Sequence, residues 1–294
     1  MMNRRQFISS SAAALVLSSV AGQYACRMGS KSNRGRIGIQ LYSVKSLLPD
    51  DFEGTLKKLS EMGYSQVELY GFKGDTFLGR TVKEVSVIVK DLGMSISGAH
   101  TGSAILPEDT NAPEWDFWKK CAENLTSGGA QWAVQASFPS ANSVDDLKRI
   151  TAHFNRTGEV CKKGGIKFAY HNHYKEFEKI DDEVILDYLI KNTDPGLVSF
   201  QLDMGHTVNG GGDCVRYLRD YPKRFPLWHA SDYDAVNRAP VWLGKGNVPY
   251  PALFDMAESS GLEVLTIEQE TKVDVLAAIQ SDFNYLKQFK WTKV

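Results

Sequence analysis

Cysteine is scarce in this 294-residue chain, basic runs are missing beyond the N-terminus, and no apolar stretch is long enough to span a bilayer. Cys26 lies near the N-terminus, while Cys121, Cys161 and Cys214 fall in segments with a helical pattern. Removal of the N-terminus would leave an odd number, which argues against a disulfide framework, and the three are too scattered for a thiolate metal site. They read as buried structural thiols. Lys and Arg number 34 against 35 Asp and Glu, a net charge of −1. Binding a phosphate backbone takes a concentrated positive surface, so nucleic acid is excluded as a partner. Also absent is a glycine-rich phosphate turn after the first apolar run, where Gln40-Leu41-Tyr42-Ser43 stands instead. An open doubly wound sheet ordinarily carries such a turn.

What is present, 43% hydrophobic and 11% aromatic residues, can bury a core large enough for one α/β barrel or two ordinary domains. Residues 1–29 read as a targeting segment. Asn3-Arg4-Arg5-Gln6-Phe7-Ile8 precedes a small, apolar run that ends in Ser19-Val20-Ala21, the layout of a twin-arginine export signal peptide. The expected location is therefore exported, periplasmic or membrane-anchored facing the periplasm, with a plain anchor or tail as the alternative. Ala25-Cys26 has the small residue before cysteine of a lipoprotein cleavage site, but Gln23 stands where an apolar residue is expected. A lipid anchor at Cys26 stays open. Residues 30–36 form a polar linker, and 37–294 carry the folded domain.

From Ile37 onward, a short apolar run, a turn and a helical pattern alternate to the end. Strands are expected at 37–44, 66–70, 94–100, 131–137, 166–173, 198–203, 227–231 and 264–268. Phe52, Leu56, Leu59 and Met62 recur at helical spacing before Gly63, and Thr81 caps a stripe of Val82, Val85, Val89 and Leu92. Further helices are expected near 115–125, from Ser143 to Gly164, and at 183–192, 213–225, 250–260 and 273–289. Eight strands and eight helices in strict alternation predict the α/β class and a single (β/α)8 TIM barrel, with an open doubly wound sheet as runner-up. No domain boundary is visible.

In such a barrel the active site lies at the carboxyl ends of the strands. Five of the six histidines gather there: His100 ends the third strand, His171 and His173 end the fifth, His206 follows the sixth, and His229 lies on the seventh. A side-chain period of two puts His171 and His173 on one face of their strand and Asn172 on the other. His153 sits in a helix and reads as a surface or packing residue. Glu68, Asp203, Asp232, Glu268 and Glu270 fall at the same level as the histidines. A charge at Glu68, between Val67 and Leu69, is costly to bury unless it is paired or metal-bound. Mixed imidazole and carboxylate donors suit zinc, manganese or a similar divalent ion.

Roles follow from position. Substrate contact is expected from His100, His173, Glu176, His206 and Glu270, and from Glu68 unless it supports a ligand instead. Asp232 is expected to orient a ligating imidazole. Lys245, in Gly244-Lys245-Gly246, either closes over substrate or caps a solvated turn, and Trp242 in the same loop either packs or stacks on a sugar.

Gln66-Val67-Glu68-Leu69, His171-Asn172-His173, Leu202-Asp203-Met204-Gly205-His206, Trp228-His229-Ala230-Ser231-Asp232, Leu243-Gly244-Lys245-Gly246-Asn247-Val248 and Ile267-Glu268-Gln269-Glu270 occur in that order. In this order and placement the chain resembles the xylose-isomerase-like TIM barrel superfamily of sugar isomerases and epimerases, which also includes endonuclease IV. The resemblance implies one divalent metal ion (Mn, Zn, Co or Mg) held by His171, Asp203, His229 and Glu268. His171 stands where relatives commonly place a glutamate, so His173 and Glu176 are the alternatives on strand five. The endonuclease pattern also needs a histidine on strand four and an Asp-x-His after strand seven. Gln135 and Ser137 occupy the former and 234–240 lacks a histidine, so a three-metal nuclease site is not expected.

The resemblance further implies a sugar isomerase/epimerase that abstracts a proton next to a carbonyl, through a metal-stabilised enediolate, with Glu268 as base and His173 or His206 moving the proton. Export and the lack of a phosphate-binding turn favour a non-phosphorylated sugar or glycoside. The main alternative is a 3-keto-glycoside lyase acting by β-elimination, and a third reading is a non-catalytic, exported carbohydrate-binding barrel. Oligomeric state is left open.

Overall fold

Short strands that are apolar on both faces must be covered on both, and here they close on themselves inside a ring of helices. In the computed structural model, which describes residues 35–102, 104–271 and 273–292, the barrel strands are Ile37–Gln40 (β1), Gln66–Phe72 (β2), Ser95–Thr101 (β3), Trp132–Gln135 (β4), Lys167–His171 (β5), Val198–Asp203 (β6), Leu227–Ala230 (β7) and Val264–Ile267 (β8). All neighbours are parallel, and β8 returns to pair with β1. The export segment and Cys26 lie outside the described residues.

Register sets the site. Gln40 on β1 stands beside Glu68 on β2, Gln201 on β6 beside His171 on β5, and Asp203 beside His229 on β7. Parallel pairing thus brings polar residues from far-separated segments to one level at the carboxyl end.

The outer ring includes Phe52–Met62 (α1), Val82–Asp91 (α2), Asp116–Ser127 (α3), Val144–Lys163 (α4) and Ile185–Lys191 (α5). Each turns its apolar stripe inward: Leu56 and Leu59 on α1, Val85 and Val89 on α2, and Leu147, Ile150 and Phe154 on α4 are fully buried. Burying each such side chain contributes about 1.5–3 kcal/mol. Thr81 and Glu84 form a reciprocal capping box at the start of α2, and Ser143 caps α4 through the Asp146 N–H. Cys121, Cys161 and Cys214 are buried and free, as expected, and burial raises the Cys121 thiol to about 11. His153 is buried in α4 and packs against Trp115.

Several expectations are corrected. The first strand stops at Gln40, whose side chain accepts the Tyr42 N–H and turns the chain into a 3-10 helix, Leu41–Val44. Strand five stops at His171, because the Asn172 side chain accepts the Asp203 N–H and donates to its carbonyl, occupying the backbone groups a longer strand would need. His173 therefore sits on the loop beyond. Strict alternation also fails after β6, where two short helices follow, Met204–Asn209 (α6) and Cys214–Asp220 (α7). Asp203 caps the first through the His206 N–H, Gly210-Gly211-Gly212 separates the two, and Asp213 caps the second. The expected helix at 213–225 stops at Asp220, before Tyr221-Pro222. Tyr250–Asp255 (α8) and Val275–Leu286 (α9) complete the ring.

Asp232 orients no imidazole. Its carboxylate accepts the backbone N–H groups of Tyr233, Gly244, Gly246 and Val248 and so folds the loop after β7 onto the barrel. A side chain at Gly246 would overlap that carboxylate. Replacing Asp232 with alanine leaves four amides without their acceptor, and unfolding in urea should show a loss of about 2–3 kcal/mol.

Candidate metal centre and catalytic face

The floor of the site is built on Glu68, which is 1% exposed. Its Oε2 accepts from Gln40 Nε2 at 3.0 Å and from His229 Nε2 at 2.5 Å, and its Oε1 accepts from Gln201 Nε2 at 3.0 Å. Both oxygens are thus engaged beneath the histidines. Of the two roles expected for Glu68, this geometry is the supporting one.

Carboxylates only accept, so the Gln201 amide must turn its nitrogen to Glu68 and its oxygen to the histidines. That Oε1 lies 2.8 Å from His100 Nε2 and 3.1 Å from His171 Nδ1, so each of these nitrogens carries the hydrogen. His171 is left with a free Nε2 lone pair. His229 is set likewise: with Nε2–H given to Glu68, its Nδ1 faces Glu268 Oε2 at 2.7 Å and Asp203 Oδ2 at 3.9 Å. Asp203 Oδ1 accepts from Ser231 Oγ at 2.6 Å and from the His206 N–H at 2.7 Å, which leaves Oδ2 for the centre.

One donor atom from each of His171, Asp203, His229 and Glu268 lies within 4.8 Å of the others, and all four residues are buried. Ligand bonds of about 2 Å bring the donors of one ion to roughly this spacing. Two imidazole nitrogens and two carboxylates, with hydrogen bonds fixing the far side of His171, Asp203 and His229, fit a divalent ion. His100 belongs to a second grouping with His171 and His229, but its Nε2 is spent on Gln201.

Electrostatics agree with a site built for positive charge. Burial alone would lower the His229 imidazole, yet Glu68 and Glu268 on either side outweigh it and hold it at about 10. Burial pushes Glu268 up, but His229 outweighs it and brings the carboxyl to about 2. Glu68 is likewise pushed up by burial and pulled below its usual value by His100 and His229. Burial, with four neighbouring imidazoles, pushes His171 well below its usual value and keeps it neutral, as a ligand must be.

On the rim, the His173 and His206 rings are 4.8 Å apart, and His206 Nε2 lies 3.8 Å from Glu270 Oε1. Burial and then His206 lower His173, whereas on His206 the pull of burial is outweighed by Asp203, Glu270 and Glu268, which raise it. Glu176 is not in the mouth. It is fully buried behind the loop, where Oε1 accepts the Tyr170 hydroxyl and the His173 N–H. Lys245 is exposed and its N–H closes a turn on the Trp242 carbonyl, while Trp242 is half-buried. No hydrogen bond or ion pair joins either side chain to the tetrad among the described residues.

Gln201, Gln40, Ser231 and Asn172 escaped the sequence reading. Gln201 carried a signal, since it stands two residues before Asp203 on one strand and so shares its face.

A family model described as xylose isomerase-like TIM barrel matches residues 56–293. The chain belongs to that family. The chain is similar to an inosose dehydratase of Geobacillus kaustophilus, 24% identical in an alignment of 225 positions that covers 68% of this chain and 70% of that one. The matched stretch is 63% of an inosose dehydratase from Clostridium perfringens. Among solved structures, a sugar phosphate isomerase/epimerase from Parabacteroides distasonis superimposes with a TM-score of 0.78 at 28% identity, covering 90% of this chain and 97% of that one. The IolI protein with a bound zinc atom shares the fold, with a TM-score of 0.69 at 12% identity over 86% of this chain and 97% of that one.

The His229 and Glu268 shifts set a pH window. A folded pKa near 10, above the usual imidazole value of about 6.5, stabilises the metal-free protein below pH 6.5 and loses that contribution as pH rises through 10. The lowered Glu268 contributes above about pH 4.3 and loses it as pH falls through 2. Melting temperature in chelator should therefore decline from pH 6 to pH 10, and Glu68→Gln, which removes one charge from His229, should flatten that decline. A level wild-type profile would contradict the assignment.

Proposed function

We propose that the protein is a divalent-metal-dependent enzyme that removes a proton beside the carbonyl of a non-phosphorylated, sugar-like substrate, as an isomerase or epimerase does. The observation that carries this is the buried tetrad lying directly beneath two imidazoles, His173 and His206, held in unlike environments. A divalent ion held by His171, Asp203, His229 and Glu268 would supply a Lewis acid that polarises a carbonyl and acidifies the neighbouring C–H.

His173 is the base. It stays neutral, and its loop is fixed by the Glu176 carboxylate on its own N–H. Glu268 is one of the four buried donors that would hold the ion, so its role is to bind. His206 is the acid, with Glu270 3.8 Å from its Nε2 and its pKa raised by the surrounding carboxylates. Neighbouring groups whose pKa values are driven apart divide the two halves of a proton transfer between them.

A second reading, elimination, is favoured by the curated relatives, which are named inosose dehydratases. It uses the same first step. His206 then gives its proton to a leaving oxygen one carbon further on instead of returning it to carbon.

The two fates separate in one assay: metal-loaded protein in D2O with free ketoses, a keto-inositol and 3-keto-glycosides, followed by product mass. Deuterium on carbon without loss of mass marks isomerisation or epimerisation, and loss of water or of an aglycone marks elimination. His173→Asn should slow either by about 100-fold or more with metal content unchanged. A metal-loaded protein that exchanges no deuterium with any of them would leave the non-catalytic carbohydrate-binding reading in place.

A further inference from the structure

Beside the tetrad lies a cavity of about 470 Å³ with His100 in its wall. The His100 ring is 4.7 Å from that of His171 and stacks on that of His229 at 5.1 Å, so a single imidazole stands between the cavity and the tetrad. Its walls come from the ends of β2, β3 and β4 and the segments after them, chiefly Phe72, Leu106, Phe117, Trp118 and Ala136. Trp118 packs where a side chain on residue 102 would stand, and Gly102, at φ +69°, is what lets the ring come this close.

The chemistry of these walls decides the occupant. Sugar hydroxyls need several donors and acceptors, and both inner donors are already spent, Thr101 Oγ1–H on the Phe72 carbonyl and His100 Nε2–H on Gln201. What remains polar, Ser137 and Lys73, is exposed at the outer lip. A phosphate would call for several cations or convergent amides, and Lys73 is the one cation among the described lining residues. Apolar, largely aromatic walls are the usual lining for a flat apolar ring.

We propose that this cavity is a second subsite that seats an apolar, ring-sized substituent carried by the sugar, so that the substrate is an aryl glycoside with a ketone on its sugar ring, or a similarly substituted keto-sugar, rather than a bare sugar or a sugar phosphate. The assignment deepens the enolising reading and rests on it for where the sugar lies.

The test compares phenyl and methyl β-glycosides in the gluco, galacto and xylo series, titrated calorimetrically into the manganese-loaded full chain, with metal content measured on the same samples. In at least one series the phenyl member should bind roughly ten- to hundred-fold tighter than the methyl member. Ala136→Phe fills the cavity from the end of β4 and should abolish that difference while leaving methyl glycoside binding and metal content unchanged. Ser137→Trp, at an exposed position, closes the cavity from its lip and should do the same should the first variant fold poorly. Equal affinities for phenyl and methyl members, no uptake of any phenyl glycoside by metal-loaded protein, or a preference that survives both fillings would overturn the proposal. A phenyl preference removed by both variants, in a metal-loaded protein that exchanges deuterium with none of the ketoses, keto-inositol and 3-keto-glycosides, would keep the subsite and sink the enolising reading instead.

Discussion

The structure depends on a single buried ladder of charge, Glu68–His229–Glu268, in which one imidazole is held between two carboxylates at 2.5 and 2.7 Å. None of the three could stand alone in the barrel interior, because an isolated buried charge costs far more than one domain's stability margin. Together they are mutually compensating, and the surrounding amides of Gln40 and Gln201 take up the remaining lone pairs of Glu68. The closed sheet makes this arrangement available, since parallel register sets Gln40 beside Glu68, Gln201 beside His171 and Asp203 beside His229.

From that ladder upward the hydrogen bonds have direction. Glu68 orients Gln201, Gln201 sets the tautomers of His100 and His171, and Ser231 with the start of α6 turns Asp203 so that one oxygen faces the centre. Above these fixed donors sits a less buried layer, His173, His206 and Glu270, which is the layer able to exchange protons with a bound molecule. Binding and proton transfer are thereby divided between a rigid floor and a rim. The apolar cavity beside His100 is where the proposed subsite would take the non-sugar part of a substituted sugar.

Much of this was legible in the chain itself. Alternating apolar runs and helical stripes gave all eight barrel strands, and histidines and acids at strand ends marked the carboxyl face. His171, Asp203, His229 and Glu268 do converge. What stayed hidden depends on contacts between distant segments. Glu68 announced itself as a charge in an apolar strand, but that both its oxygens are occupied is a property of β1, β6 and β7 arriving beside it. Gln201 and Asn172 are ordinary polar residues until their amides are seen to replace backbone bonds or to set a tautomer. Glu176 turned inward because Tyr170 and the His173 N–H offered partners behind the loop, and Asp232 turned to four amides rather than to a histidine. Side-chain period read strand five two residues too long, since nothing in a period of two reports that a neighbouring strand has claimed the next backbone groups.

The account stands or falls on what the buried floor holds. Crystals of protein loaded with manganese, with anomalous scattering recorded at an energy that identifies the ion, test this most directly. One manganese per chain, bonded to His171, Asp203, His229 and Glu268 with Glu68 on the far nitrogen of His229, is the predicted result. An empty tetrad at saturating manganese, or an ion bound elsewhere while His229 remains clasped between Glu68 and Glu268, would contradict it.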